Sequence, residues 1–194
     1  MPVDNAAAND VRATSARTKR MIALLAAIAI APVVLAYLAY YVFPRDARVN
    51  YGDLLPHTTI PAIAGTRADG QPFDVRDLRG RWIVLYQSPA ACNDACAAAL
   101  YAGRQSRTIQ NAERERVARV WLVTGASPPA PALLAEHPDL VAVHVSAPPV
   151  LPRGSDRIYL VDPHGNFVLA WPSKPDIKAM AKDLGRLLRA SSIG

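Results

Sequence analysis

In the stretch Trp82-Ile83-Val84-Leu85-Tyr86-Gln87-Ser88-Pro89-Ala90-Ala91-Cys92-Asn93-Asp94-Ala95-Cys96, an apolar run passes within a few residues into a cysteine pair, and a long helix-like segment follows. The run is short, and its β-branched and aromatic content reads as a buried strand. Cys92 and Cys96 are the only two cysteines in the chain. A strand that delivers a cysteine to the start of a helix places its sulfur near unpaired backbone N–H groups and the positive end of the helix dipole. Both favour the thiolate, the form that attacks disulfides and binds metals. The pattern therefore predicts thiol or soft-metal chemistry.

The spacing adds detail. Residues four apart on a helix share a face with Cβ atoms about 5–6 Å apart, whereas a relaxed disulfide holds them at about 3.5–4.5 Å. A Cys92–Cys96 disulfide is therefore expected to strain the first helical turn and to be easily reduced. When reduced, the two sulfurs could converge on one soft cation such as Cu(I). A plain structural staple is the alternative, although so short a loop would contribute only roughly 2 kcal/mol.

Outward from this core, 194 residues allow one ordinary domain and an appendage. The appendage is Met21 to Phe43, 23 residues without a charge, long enough to cross a hydrocarbon core of about 30 Å. Arg12, Arg17, Lys19 and Arg20 precede the span and only Arg45 and Arg48 follow it closely, which places the N-terminus in the cytoplasm. Tyr37, Tyr40, Tyr41 and Phe43 cluster at the far end like an interfacial aromatic belt. Pro32 follows the small-x-small sequence Ala29-Ile30-Ala31 and disfavours cleavage there, so the span is expected to stay as an anchor that Pro32 kinks. The predicted organisation is a basic leader over 1–20, a transmembrane helix over 21–43, a polar tether over 44–57 and a folded domain over 58–190.

The net charge of +6 divides evenly: six Lys and Arg against three Asp in residues 1–50, and sixteen basic against thirteen acidic side chains beyond. Neither part is a nucleic-acid surface. Arg114, Glu115, Arg116 and Arg119 are expected to form a mixed, solvated helix end.

Within the domain, Thr58–Ile63 and Gln71–Val75 flank the turn signal Arg67-Ala68-Asp69-Gly70 and predict a hairpin. Strands follow at Trp82–Gln87, Val117–Thr124, Leu140–Val145, Arg157–Val161 and Phe167–Trp171, with helices from Asp94 to about Asn111 and over Ala130–Glu136. Asp162-Pro163-His164-Gly165 joins the last two strands as a turn. A closing helix opens at Pro175 and Asp176, with Ile177, Met180, Ala181, Leu184, Leu187 and Leu188 as its core face. These elements describe an α/β fold with a mixed sheet flanked by helices.

The order strand, cysteine pair, helix, strand, helix, strand, hairpin, helix is that of thioredoxin-like folds. The Cys-x-x-x-Cys spacing after a single anchor resembles the Sco/SenC family of copper chaperones over about residues 58–190. Leu78-Arg79-Gly80-Arg81-Trp82 resembles the family's lead into its first core strand, Asp94 stands where Cys-Pro-Asp-x-Cys has its Asp, and Tyr159-Leu160-Val161-Asp162-Pro163-His164-Gly165 resembles Tyr-Leu-x-Asp-Pro-x-Gly. The resemblance implies copper as cargo, held by Cys92 and Cys96. It also implies a role in assembling cytochrome c oxidase, either by delivering copper to subunit II or by reducing that site's cysteines. The implied location is the bacterial inner membrane, single-pass, with the domain in the periplasm.

The chain departs from this pattern where the family has a distal histidine five residues before the hairpin tyrosine; here Gly154 stands, followed by Ser155. Asn93 and Ala97 replace the prolines usual beside the cysteines. His57, His137, His144 and His164 all read as non-ligands. Thioredoxins use a pair one residue tighter and a proline near the place of Asp156; peroxiredoxins carry a Thr where Pro89 stands. A closed zinc site needs four ligands. Three roles remain open: copper handling, membrane-tethered thiol–disulfide exchange, and a non-catalytic assembly scaffold.

The charge bias yields a direct expectation. An alkaline phosphatase fused after Gly194 is active and a cytoplasmic reporter at the same place is not; the reverse result removes the topology.

Overall fold

The computed structural model describes residues 4–42 and 50–193, in two compact units that divide near Arg48. The first is one helix, α1 (Asp4–Val42), which runs through Pro32. Its stretch Thr18–Ala39 is long and apolar enough to cross a membrane. Met21, Leu25, Ile28 and Leu35 of that stretch are all exposed within the unit. Phe43 and the first part of the expected tether lie outside the described residues.

The second unit is built on eight strands: β1 (Asp53–Thr59), β2 (Ala64–Arg67), β3 (Pro72–Asp74), β4 (Trp82–Pro89), β5 (Val117–Thr124), β6 (Leu140–His144), β7 (Arg157–Val161) and β8 (Asn166–Pro172). They form one sheet in the order β1-β8-β7-β4-β5-β6-β2-β3. β4, β5 and β6 run parallel and every other pairing is antiparallel, so the sheet is mixed as expected. Three α-helices, α2 (Asp94–Thr108), α3 (Pro131–Ala135) and α4 (Ile177–Ala190), and two short 3-10 helices, Val75–Leu78 and Asn111–Arg116, complete the described unit.

Alternation along the central strands decides what each face of the sheet buries. Trp82, Val84 and Tyr86 of β4 and Val117, Trp121 and Val123 of β5 pack with Cys96, Ala99 and Leu100 of α2 and Met180, Leu184 and Leu188 of α4. Ile83 and Leu85, with Val120 and Leu122, pack on the other face against Ile63, Phe73, Val75 and Leu78. β4 is buried at every residue but its last.

Several expectations are corrected here. The expected tether contains the start of β1, which pairs with β8 at the sheet edge, so Thr58 and Thr59 belong to that strand. The hairpin is instead Ala64–Arg67 with Pro72–Asp74. α2 stops at Thr108, and Asn111 takes φ 53°, a left-handed conformation that does not continue a helix. Pro175 lies outside α4, whose N-cap is Asp176, accepting from Ala179 N–H.

Of the expected mixed, solvated helix end, Arg114 and Glu115 are exposed and paired with each other, whereas Arg116 and Arg119 have other roles. Arg116 donates to the carbonyls of Leu188, Ser191 and Ile193 and so fastens the end of α4. Arg119 stands on β5, 2% exposed, on the helix-covered face, where burial pushes its guanidinium down to about 10. Arg107 of α2, also buried, donates to the carbonyls of Arg114 and Val117 and to Asp139.

Asp183 is the polar centre of the α4 face. It is 2% exposed and accepts from Tyr51 N–H at 3.1 Å, Gly52 N–H at 2.8 Å and Trp171 Nε1–H at 3.1 Å. It thereby joins the segment before β1 to both β8 and α4. Gly52 is required because a Cβ there would lie 2.6 Å from Trp171 Nε1. Removing the carboxylate leaves buried donors unpaired, at about 1–3 kcal/mol for each such group. Asp183→Ala is expected to cost about 2–4 kcal/mol and Asp183→Asn less. Urea unfolding of the full chain in detergent reads this through Trp82, Trp121 and Trp171, all in the second unit; an unchanged midpoint refutes it.

Candidate functional site

β4 and α2 meet at the carboxyl end of the parallel strands, where open α/β sheets form their crevices. The link runs through Pro89, Ala90 and Ala91 to Cys92, which is half-buried. Asn93 is the N-cap of α2: its Oδ1 accepts from Cys96 N–H at 3.0 Å, and its carbonyl from Ala97 N–H at 2.8 Å. The Asn93 side chain thus satisfies one of the helix's free donors, while its carbonyl accepts the first ordinary intrahelical bond. Asp94 in the first turn complements the dipole.

Cys92 and Cys96 form a disulfide with Cα atoms 5.1 Å apart. This separation is ordinary for a disulfide. The expected distortion of the first turn is absent, because Cys92 precedes the N-cap and its backbone is not helical. The argument for easy reduction from helical strain therefore falls. What distinguishes the sulfurs is burial: Cys96 is 1% exposed and Cys92 is the accessible partner.

Cys96 Sγ has a further neighbour. Ser88 Oγ–H donates to it at 3.3 Å, and Trp121 Nε1–H donates to Ser88 Oγ at 2.9 Å. The register explains the contact, since Tyr86 pairs with Trp121 and Ser88 with Val123, all on the face that α2 covers.

A cleft of about 310 Å³ opens beside Cys96, lined also by Tyr86, Gln87, Ser88, Ser155 and Asp156. Gln87 is 9% exposed, and its Oε1 is buried without a hydrogen-bond partner. Burial, reinforced by the Asp156 carboxylate, pushes the Tyr86 phenol above its ordinary range. The loop that brings Ser155 and Asp156 here is held by Tyr159, whose hydroxyl donates to the Gly154 carbonyl at 2.7 Å and accepts from Arg153 N–H at 3.0 Å.

Ser155 and Asp156 of the segment expected near the cysteines share this cleft with Cys96, while Gly154 and Cys92 do not line it. Gly154 has φ +86°, which a histidine would adopt only under strain. No histidine lines the cleft. His144 Nε2 bonds the Gly125 carbonyl, His57 and His164 are exposed, and His137, expected in a loop, is 4% exposed and held below its ordinary range by burial and then by Arg119. Among the described residues no group of three or more His, Cys, Asp or Glu side chains could hold a metal. The donor set therefore does not fit a three-ligand copper centre.

Ser88, Trp121, Gln87 and the capping role of Asn93 escape sequence inspection. The available signal was a Ser and a Gln interrupting an otherwise apolar buried strand just before a cysteine pair.

A mixed sheet with a cysteine pair at the head of the helix that follows its first parallel strand defines a thioredoxin-like protein. More particularly, the chain belongs to the transmembrane-like, thioredoxin-like, C-terminal domain family, whose profile matches residues 82–191. No curated protein sequence matches it. Its fold is similar to that of copper-bound yeast Sco1, at 19% identity and TM-score 0.56 over 70% of this chain and 91% of that one. It is also similar to copper-bound ScoI of Bradyrhizobium japonicum, at 17% identity and TM-score 0.54 over 66% and 99%. The thioredoxin domain of a thiol-disulfide oxidoreductase from Bacteroides vulgatus is comparable, at 14% identity and TM-score 0.52 over 70% and 99%.

The burial asymmetry has a measurable result. After reduction of the full chain, a water-soluble maleimide is expected to label Cys92 well before Cys96, as mass spectrometry of the peptides would record. Equal labelling rates in the folded protein contradict this placement of the sulfurs.

Proposed function

We propose that this chain is a membrane-anchored thiol–disulfide exchange protein of the Sco-like class, serving assembly of the cytochrome c oxidase copper site with Cys92 and Cys96 as its reactive pair. The observation that carries this is the cysteine pair itself: one accessible and one buried sulfur at a helix N-terminus, the buried one beside a cleft that no histidine lines. α1 supports anchoring by its length and apolar composition. An anchored N-terminus in the cytoplasm and a domain in the periplasm would put the pair where disulfides form and persist.

In this reading the accessible Cys92 thiolate attacks a disulfide of the partner, such as the paired copper-site cysteines of oxidase subunit II. One partner sulfur leaves as thiolate and a mixed disulfide forms. The Cys96 thiolate then attacks Cys92 Sγ, releasing the second partner sulfur and forming the Cys92–Cys96 disulfide. The partner gains two electrons and this chain loses two. A dithiol reductant of the same compartment returns the pair to its reduced form.

Copper handling is the second reading, favoured by the cleft that Ser155 and Asp156 share with Cys96 and by the copper bound in two of the structural neighbours. In this chain copper would be cargo on two sulfurs, with any further ligand supplied by a partner. Two thiolates suit Cu(I), whereas Cu(II) wants added nitrogen or oxygen donors.

The full chain in detergent decides between them. Thiol trapping across glutathione buffers is expected to show one two-electron transition between dithiol and disulfide, lost in Cys92→Ser and Cys96→Ser. Titration of the reduced protein is expected to show weak Cu(II) binding. A pair that never closes, or a disulfide that survives strong dithiol reductant, overturns the exchange reading; tight stoichiometric Cu(II) binding moves the assignment to copper handling.

A further inference from the structure

We infer that Ser88 is a catalytic residue of the disulfide exchange, donating its hydroxyl proton in a hydrogen bond to the Cys96 sulfur as that sulfur becomes a thiolate, with Trp121 as its positioning residue. The inference rests on the exchange reading given above.

The argument begins with donor and acceptor bookkeeping. An indole Nε1–H is a donor only. Trp121 is fully buried, and its Nε1–H reaches Ser88 Oγ at 2.9 Å, so at this contact the serine oxygen must accept. The one hydroxyl proton of Ser88 is then free to point elsewhere. Its neighbours are Cys96 Sγ at 3.3 Å and the Pro89 carbonyl at 3.4 Å. The sulfur is within bonding reach, and it is the neighbour that acquires a full charge.

That charge appears when the disulfide is reduced. An incoming thiolate attacks the accessible Cys92 Sγ, the bond to Cys96 Sγ breaks, and Cys96 leaves with the electron pair. The mixed disulfide stays on Cys92, and no other reactant is needed. A buried thiolate is costly, and burial raises a cysteine's pKa. Cys96 is 1% exposed, and its backbone N–H is already committed to Asn93. Ser88 therefore supplies the hydrogen bond that lowers the leaving sulfur's pKa, and a lower leaving-group pKa speeds exchange. A hydrogen bond to a charged group strengthens as the charge develops.

The test uses the full chain in detergent, with reduced glutathione as the attacking thiol. Ser88→Ala is expected to slow reduction of the disulfide about tenfold and to shift the equilibrium with glutathione about tenfold toward disulfide at a pH where Cys96 ionises, about 30 mV. In a Cys92→Ser background, Ser88→Ala is expected to move the alkylation pH profile of Cys96 upward by about a factor of ten in acidity. Ser88→Thr keeps the hydroxyl and is expected to restore both. Trp121→Phe leaves the serine in place but unoriented and is expected to slow reduction by a smaller factor. It serves as the deciding variant should Ser88→Ala lose its tryptophan fluorescence signature. Rates and pH profile unchanged in a folded Ser88→Ala chain, or in Trp121→Phe if that is the folded variant, overturn the inference. A wild-type disulfide that glutathione and stronger dithiols cannot reduce overturns the exchange reading on which it rests.

Discussion

Burial of β4 on both faces is the constraint from which the rest of this unit follows. Trp82 to Ser88 are enclosed between α2 and α4 on one side and the Ile63, Phe73, Val75 and Leu78 cluster on the other. A strand so enclosed must have its ladder bonds satisfied by neighbours, which β5 and β7 provide, one parallel and one antiparallel. Its carboxyl end then opens where α2 must begin. The cysteine pair sits at that end because the chain has nowhere else to turn from strand to helix.

Polar groups buried in this core act as fasteners between elements distant in sequence. Asp183 binds the segment before β1 to β8 and α4, Arg116 ties the last turn of α4 to the strand-side loop, and Arg107 holds the approach to β5. Each bonds backbone groups as well as side chains, and buried polarity is tolerated where it is so satisfied. Among the described residues Arg67 Nε, Trp82 Nε1, Gln87 Oε1, Arg119 Nη2 and His137 Nδ1 are exceptions. Gln87 lies in the cleft wall.

The likeness to copper-bound Sco structures and to a thiol-disulfide oxidoreductase is one of fold, at 14–19% identity. Chemistry has to be argued from this chain's own residues. Here the loop before Tyr159 brings Ser155 and Asp156 to the cleft, and Ser88, bonded by Trp121, meets the buried Cys96 sulfur.

Much was legible in the sequence because it rests on local pattern. The apolar run Trp82–Tyr86, the strand at Val117–Thr124, the hairpin about Asp162–Gly165 and the amphipathic closing helix all follow from periodicity and turn chemistry, and so does the 23-residue uncharged span. The proximity of the two cysteines, which form a disulfide, was legible from their spacing for the same reason. Only the tertiary structure decided that β1 leaves the expected tether to pair with β8, that Arg119 is buried, and that Cys92 lies before the cap instead of within the helix. It alone brought Ser88, Trp121 and Cys96 together from a strand, its neighbour and a helix. Such contacts depend on strand register and on which face a helix covers, and these are set by competition among distant segments for the same buried surface, which no local window of sequence records.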